Sequence, residues 1–283
     1  MVKIIADSTC DLSPELLKKY DISILPLHVL LGEKEYFDGV TVTPGEIFAW
    51  AESNRKAPKT SAPALEDAVE LFRPYVEAGQ EIVSFSIADG MSSSGNIMRM
   101  AARELNAEAQ IFVVDSANLS TGIGLLVIEA AIMAQNGRSA AQIVEKMEEI
   151  KPRVRASFVV DTLMYLYRGG RCSGLSALAG SALKIHPKIL VSDGKMSPDK
   201  KYRGSMRRVV MAYAHDLEEQ LKMAETDRVF ITHSGCSDEV VGNVRAYLEQ
   251  LHVFHEILET TAGGVVSCHC GPGTLGILFI AKG

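Results

Sequence analysis

The first half of the chain alternates two hydrophobic textures. Short apolar runs of strand-type residues cover Val2 to Ala6, Ile82 to Ile87 and Gln110 to Val114, which is the length and composition of buried strands. Between them apolar positions recur at helical spacing, as in Ile97, Met98, Ala101, Ala102 and Leu105. Helix starts are marked too. Ser13-Pro14 puts a capping serine before a proline at the first helical position. Thr43 followed by Glu46, and Ser139 followed by Gln142, are capping boxes. Ile22 to Leu31 is a further extended segment, broken by Pro26 and ended by Gly32. Lys59 to Pro63 is a polar loop leading into a helix from Ala64 to Glu77, and another helix runs from about Leu119 to the stop at Asn136-Gly137. Alternating strands and helices predict a parallel sheet covered on both faces.

From Arg155 the texture changes. Ser157 to Val160 and Lys188 to Val191 are expected strands, with short helices at Leu163 to Arg168 and Leu175 to Leu183 around Gly169-Gly170-Arg171. Asp193-Gly194 is a hairpin signal. A long helix from Ser205 to Met223 precedes a strand at Arg228 to Thr232, a helix at Asp238 to Leu251, and strands at Phe254 to Leu258 and Leu275 to Ala281. With 283 residues, the chain is long enough for about two domains. The expected class is α/β with two domains: a parallel-sheet, three-layer α/β/α unit over 1–152 and a mixed-sheet α/β unit over 153–283.

In open parallel sheets ligands sit at the carboxyl ends of the strands. Here those ends carry Asp7-Ser8-Thr9, the turn Ser92-Ser93-Ser94-Gly95 and Asp115-Ser116, so these loops should border one crevice. The serine turn opens a helix, where free amides, a partial positive charge and hydroxyls suit a carboxylate or phosphate. Serines also cap helices without any ligand, and both readings stay open for this turn. Gly90 to Gly95 comes near a G-x-S-x-G nucleophile elbow, but the second glycine arrives one position late.

Cys268-His269-Cys270 brings metal ligands together, yet neighbours in a strand face opposite ways and no second ligand pair completes a tetrahedral site; no metal is assigned. Arg168 and Arg171 flank a Gly-Gly pair and suit either an anion or a structural ion pair. Arg203, Arg207 and Arg208 form a basic cluster at a helix start, which a solvated face would also explain. Neither a phosphate-binding G-x-x-x-x-G-K-[ST] loop nor a complete dinucleotide fingerprint is present.

Composition narrows the classes. A net charge of −6 argues against a nucleic-acid binder that relies on bulk charge. Five cysteines without a regular framework fit a reducing compartment. The longest apolar runs fall well short of the ~20 residues that span a bilayer. The expectation is a cytoplasmic protein with at most transient membrane contact.

Asp7-Ser8-Thr9, Pro26-Leu27, Tyr36-Phe37-Asp38, Thr60-Ser61-Ala62-Pro63, Tyr165-Leu166 with Gly169-Gly170-Arg171, and His269 with Gly271-Pro272-Gly273 follow in that order. Together they resemble the DegV family through nearly the whole chain. The resemblance implies a two-domain α/β protein that binds a long-chain fatty acid between its domains, has no cofactor, and presents the carboxylate to the catalytic subunit of a fatty acid kinase. It implies a carrier that is not itself catalytic. It places carboxylate contacts at Thr60, Ser61, Ser92, Ser93 and His269, and kinase coupling at Arg171 and Arg203. In this chain Ser93 stands for the family's turn glycine and Gly95-Asn96 for a tyrosine–glutamine pair, a change that bears on acyl preference. The alternatives are a serine acyl hydrolase using Ser92 and His269, and a binder of phosphorylated metabolites.

Overall fold

A computed structural model describes residues 1–172 and 185–283; the helix expected at Leu175 to Leu183 lies outside them. The chain begins with β1 (Lys3–Asp7), α1 (Pro14–Lys19) and β2 (Ile22–Leu25). Pro26 then redirects it. Instead of extending β2, the next residues form β3 (His28–Leu31) and β4 (Lys34–Phe37), and β3 pairs with β5 (Lys59–Ser61) in a separate three-stranded antiparallel sheet. The expected polar loop at Lys59 to Pro63 therefore starts as a strand. The helices α2 (Pro44–Asn54) and α3 (Leu65–Glu77) flank β5, and the Thr43–Glu46 capping box is formed. Then come β6 (Ile82–Ser86), α4 (Ser94–Glu104), β7 (Ile111–Asp115), α5 (Thr121–Gln135) and α6 (Ala140–Ile150).

The parallel sheet has the order β2-β1-β6-β7. Side chains alternate across it, so Ile4 joins the core under α5 and α6 while Ile5 joins the core under α3 and α4. Because both faces are covered, β1 and β6 are buried at every position and look like continuous apolar runs rather than alternating ones.

The second half contains β8 (Val154–Val159), α7 (Met164–Gly169), β9 (Ile185–Ser192), β10 (Lys195–Arg203), α8 (Met206–Asp216), α9 (Glu218–Lys222), β11 (Ala224–Ser234), α10 (Asp238–Gln250), β12 (Glu256–Thr261), α11 (Gly264–Cys270) and β13 (Thr274–Ala281). Among the described residues its six strands lie in the order β10-β9-β8-β13-β11-β12 and are antiparallel except for the β11–β12 pair. The single helix expected over Ser205 to Met223 is divided at Leu217, whose buried side chain faces the outer core. At the β9–β10 turn Asp193 and Gly194 both have positive φ (50° and 70°), the conformation of a tight two-residue hairpin.

Helix α5 explains how the halves meet. It packs on β1 and β6 of the parallel sheet and on β8 and β13 of the mixed sheet, and 11 of its 15 residues are buried. A helix between two sheets has little solvent face, so it is apolar over most of its surface, with the half-buried Glu129 paired to Arg228. The two α/β units are thus joined through a shared core that includes Ile4, Ile123, Phe158 and Leu278. No helix among the described residues is long and apolar enough to cross a membrane.

Candidate ligand cavity

Three buried aspartates tie together the loops around the strand ends. Asp7 accepts from the Ile87 amide at 2.9 Å and the Ser94 hydroxyl at 2.7 Å, which fixes the serine turn. Asp11 accepts from the Ser120 hydroxyl at 2.5 Å and the Gly263 amide at 2.8 Å. Asp38 accepts from the Gly264 amide at 2.6 Å and the Ser8 hydroxyl at 2.8 Å. Burial raises the pKa of all three carboxyls. The loops expected to share one crevice are therefore held together, and Asp11 and Asp38 add the start of α11 to the assembly. A Cβ on Gly264 would meet Asp38 at 2.9 Å and Ile47 at 2.8 Å, so glycine lets the helix approach the carboxylate.

Above this hub a cavity runs between the serine turn, the start of α5 and the inner face of the mixed sheet. Its space amounts to about 910 Å³, open solvent at its edges included. Most of the wall is apolar, with Met91, Leu119, Phe158, Met196, Val265 and Leu278 among the lining side chains. Three polar side chains on the sheet side, Thr232, Ser234 and Thr274, are already engaged, whereas His233 Nδ1 is buried without a partner. Thr232 bonds Thr121 at 2.6 Å and Thr260 at 3.0 Å, Ser234 bonds Ser267 at 2.8 Å, and Thr274 donates to the Cys270 carbonyl at 2.9 Å.

The other end differs. Thr60, Ser61, Ser92, Arg171 and His269 all line it. Thr60 Oγ1 lies 2.9 Å from His269 Nε2, and His269 Nδ1 is buried without a partner. A Cβ on Gly169 would overlap that Nδ1, so the Gly169-Gly170 pair leaves room for the ring. Arg171 donates to the Gly169 carbonyl at 2.6 Å, anchoring the guanidinium beside the imidazole. Ser61 is placed by β5, opposite His28, which bonds Glu35 at 2.7 Å and Asp67 at 3.1 Å. Ser92 Oγ accepts from the first amide of α4, Ser94 N–H, at 3.2 Å, one residue before the N-cap Ser93, and still has its own hydrogen to donate. Capping and ligand binding are compatible here. Ser93 is exposed beside the cavity lining, and Arg203 is exposed at the end of β10, also outside it.

His269 sits in a helix, not in the strand assumed for Cys268-His269-Cys270. The flanking thiols remain protonated, because burial raises Cys268 strongly and Cys270 to about 12. No group of three or more His, Cys, Asp or Glu among the described residues is arranged to hold a metal. Asp11 and Ser120 carry no signal in the sequence, and Asp38 stands in the Tyr36-Phe37-Asp38 motif without an assigned role, because the partners of all three lie far away in the chain.

Burial, with the Arg171 charge second, lowers the His269 pKa from 6.5 to about 4. Between these values the unfolded chain takes up a proton that the folded chain does not. Stability should therefore fall as pH drops from 6.5 towards 4, by up to about 3 kcal/mol. The buried aspartates act in the opposite sense, so the measurement is a difference. Urea midpoints of the wild type and His269→Gln, compared from pH 7 to 4.5, should converge as the pH falls, and parallel curves would contradict the assignment.

Fold and cavity together define an α/β protein with an apolar chamber that ends in a polar cluster. The family model "Uncharacterised protein, DegV family" matches residues 1–282. The chain belongs to the DegV family. A DegV domain-containing protein of Deinococcus radiodurans is 31% identical over 276 residues, covering 98% of this chain and 97% of the relative. Among solved structures, a fatty-acid-binding DegV family protein from Thermus thermophilus superposes with a TM-score of 0.91 at 26% identity and 99% coverage of both chains. A stearic-acid-binding protein from Eubacterium ventriosum gives a TM-score of 0.87 at 30% identity, covering 100% of this chain and 99% of the other.

Proposed function

We propose that this protein binds a long-chain fatty acid in the cavity, with the carboxylate at Thr60, Ser61, Ser92 and His269 and the tail along the mixed sheet. The observation that carries this reading is the segregation of polarity: Thr232, Ser234 and Thr274 on the long, mostly apolar wall are hydrogen-bonded within the protein, while Thr60, Ser61, Ser92, Arg171 and the unpartnered Nδ1 of His269 gather at one end. The fatty acids bound by the Thermus and Eubacterium relatives support it. Tail burial contributes about 0.8 kcal/mol per CH₂ and dominates affinity. The polar end has only to offset carboxylate desolvation, a cost of several kcal/mol. An anion beside His269 favours the imidazolium, so binding is accompanied by proton uptake below neutrality.

In this reading residues 1–152 and 153–283 are two domains that close on the tail, and the polar end draws on both, since α11 supplies His269. The protein serves as a non-catalytic cytoplasmic carrier that offers the carboxylate to a separate fatty acid kinase. Arg171 lies beside the headgroup for that step and the exposed Arg203 belongs to the surface facing the partner, while Ser93, exposed next to Ser92, stands at the rim of the carboxylate site. A hydrolase is disfavoured by geometry: His269 Nε2 is taken by Thr60, and Nδ1 has no carboxylate to orient it.

Titration with palmitate and with its methyl ester tests the proposal. Palmitate should bind at least tenfold more tightly, the ester should not be hydrolysed, and a fluorophosphonate should leave Ser92 unmodified. Equal affinities would remove the headgroup assignment, and ester turnover with a Ser92 adduct would establish the hydrolase. Adding the kinase subunit and ATP should convert bound palmitate to its acyl phosphate.

A further inference from the structure

The inner face of β13 presents Thr274, Gly276 and Leu278 in turn to the cavity. A glycine inside a central strand weakens it by entropy and missing packing, and commonly marks a place where something else must approach closely. Gly276 pairs with Thr232 on β11 and Phe158 on β8, so these three form one row across the sheet. Thr232 and Phe158 line the cavity with it. The next row along the strands holds Leu278 opposite Ala156 and continues through Val191 to Met196, and Met196 also faces the cavity. Two rows lie about 7 Å apart along the strands.

Thr232 spends its hydroxyl on Thr121 and Thr260, so it offers only carbon to a ligand. The Phe158 side chain, 7% exposed, forms the opposite wall. The floor between them is bare backbone. A Cβ at 276 would lie 3.0 Å from the Ser157 carbonyl, 3.2 Å from the Leu278 side chain and 3.2 Å from Phe158 Cβ, so even one methyl would tighten the passage.

We propose that Gly276 and Phe158 form the gauge of the chamber, the constriction that an acyl chain must pass to reach the Leu278–Ala156–Met196 end, and that this row sets how long and how bulky a chain is accepted. The inference rests on the fatty acid reading. Chains that stop short of the row do not meet the gauge, whereas longer chains lie across the glycine. An unbranched tail fits the gap, and a tail bulky at this depth does not.

The test is competition of C8, C10, C16 and C18 acids, and of a phenyl-terminated acid, against a fluorescent long-chain fatty acid. Binding of C16 to the wild type checks the underlying reading separately. Gly276→Ala should weaken C16 and C18 by tenfold or more and leave C8 and C10 within about twofold. Because the substitution also presses on Ser157, Phe158→Ala supplies a second arm. It opens the same passage and should retain C16 while improving the phenyl-terminated acid by at least fivefold. Opposite movements support a gauge. Equal losses at every length for Gly276→Ala, or a parallel shift in both variants, would overturn it.

Discussion

Replacing Ser92 and His269 together with alanine is expected to lower palmitate affinity by at least 100-fold while leaving methyl palmitate nearly unaffected. Each residue offers a hydrogen bond to an ionised group, an interaction worth about 1.5–3 kcal/mol, and every 1.4 kcal/mol is tenfold. Losing both leaves a carboxylate in a largely apolar chamber with Thr60 and Ser61 as its remaining partners. Thr60 also loses the His269 ring that holds it at 2.9 Å, so the two substitutions should not be additive with Thr60→Ala. Isothermal titration of both ligands checks this. A double variant that keeps wild-type affinity for palmitate would show that the carboxylate lies elsewhere.

The second large effect concerns the helix between the sheets. Leu125 in α5 is fully buried in the core shared by both halves. Truncation to alanine removes contacts from a site that neither sheet can collapse to fill, and should cost about 2–5 kcal/mol. Glu145→Ala on the exposed side of α6 should stay within about 0.5 kcal/mol. Urea unfolding provides both numbers. A Leu125→Ala loss below 1 kcal/mol would mean that α5 is not the packed centre of the molecule.

Much of this architecture is written locally in the chain. The capping boxes at Thr43 and Ser139 form as expected, because their partners lie three residues apart. The helix α5 was also expected, between Leu119 and the Asn136-Gly137 stop. Other features had no local signal. Pro26 marked a break, but only tertiary pairing sends β3 into a different sheet from β2. Helix α11 begins at Gly263-Gly264 with no capping side chain of its own. Its caps are Asp11 and Asp38, 252 and 226 residues away, so Cys268-His269-Cys270 looked like a strand.

The candidate site divides in the same way. Ser92 and Thr60-Ser61 occur in turns whose chemistry shows in the residues themselves. His269 was visible as a residue, but its Thr60 partner and its lowered pKa follow from enclosure. The cavity wall was the least legible part. Phe158, Leu278 and Met196 look like ordinary core residues, and only the register of β8, β13 and β10 brings them to one face.

The most direct test of the central claim is mass spectrometry of the protein purified without detergent, first native and then after organic extraction. The account predicts one co-purifying long-chain fatty acid per chain, released by denaturation and absent from a Ser92→Ala/His269→Ala preparation. A chain that emerges empty and takes up no added fatty acid would contradict it.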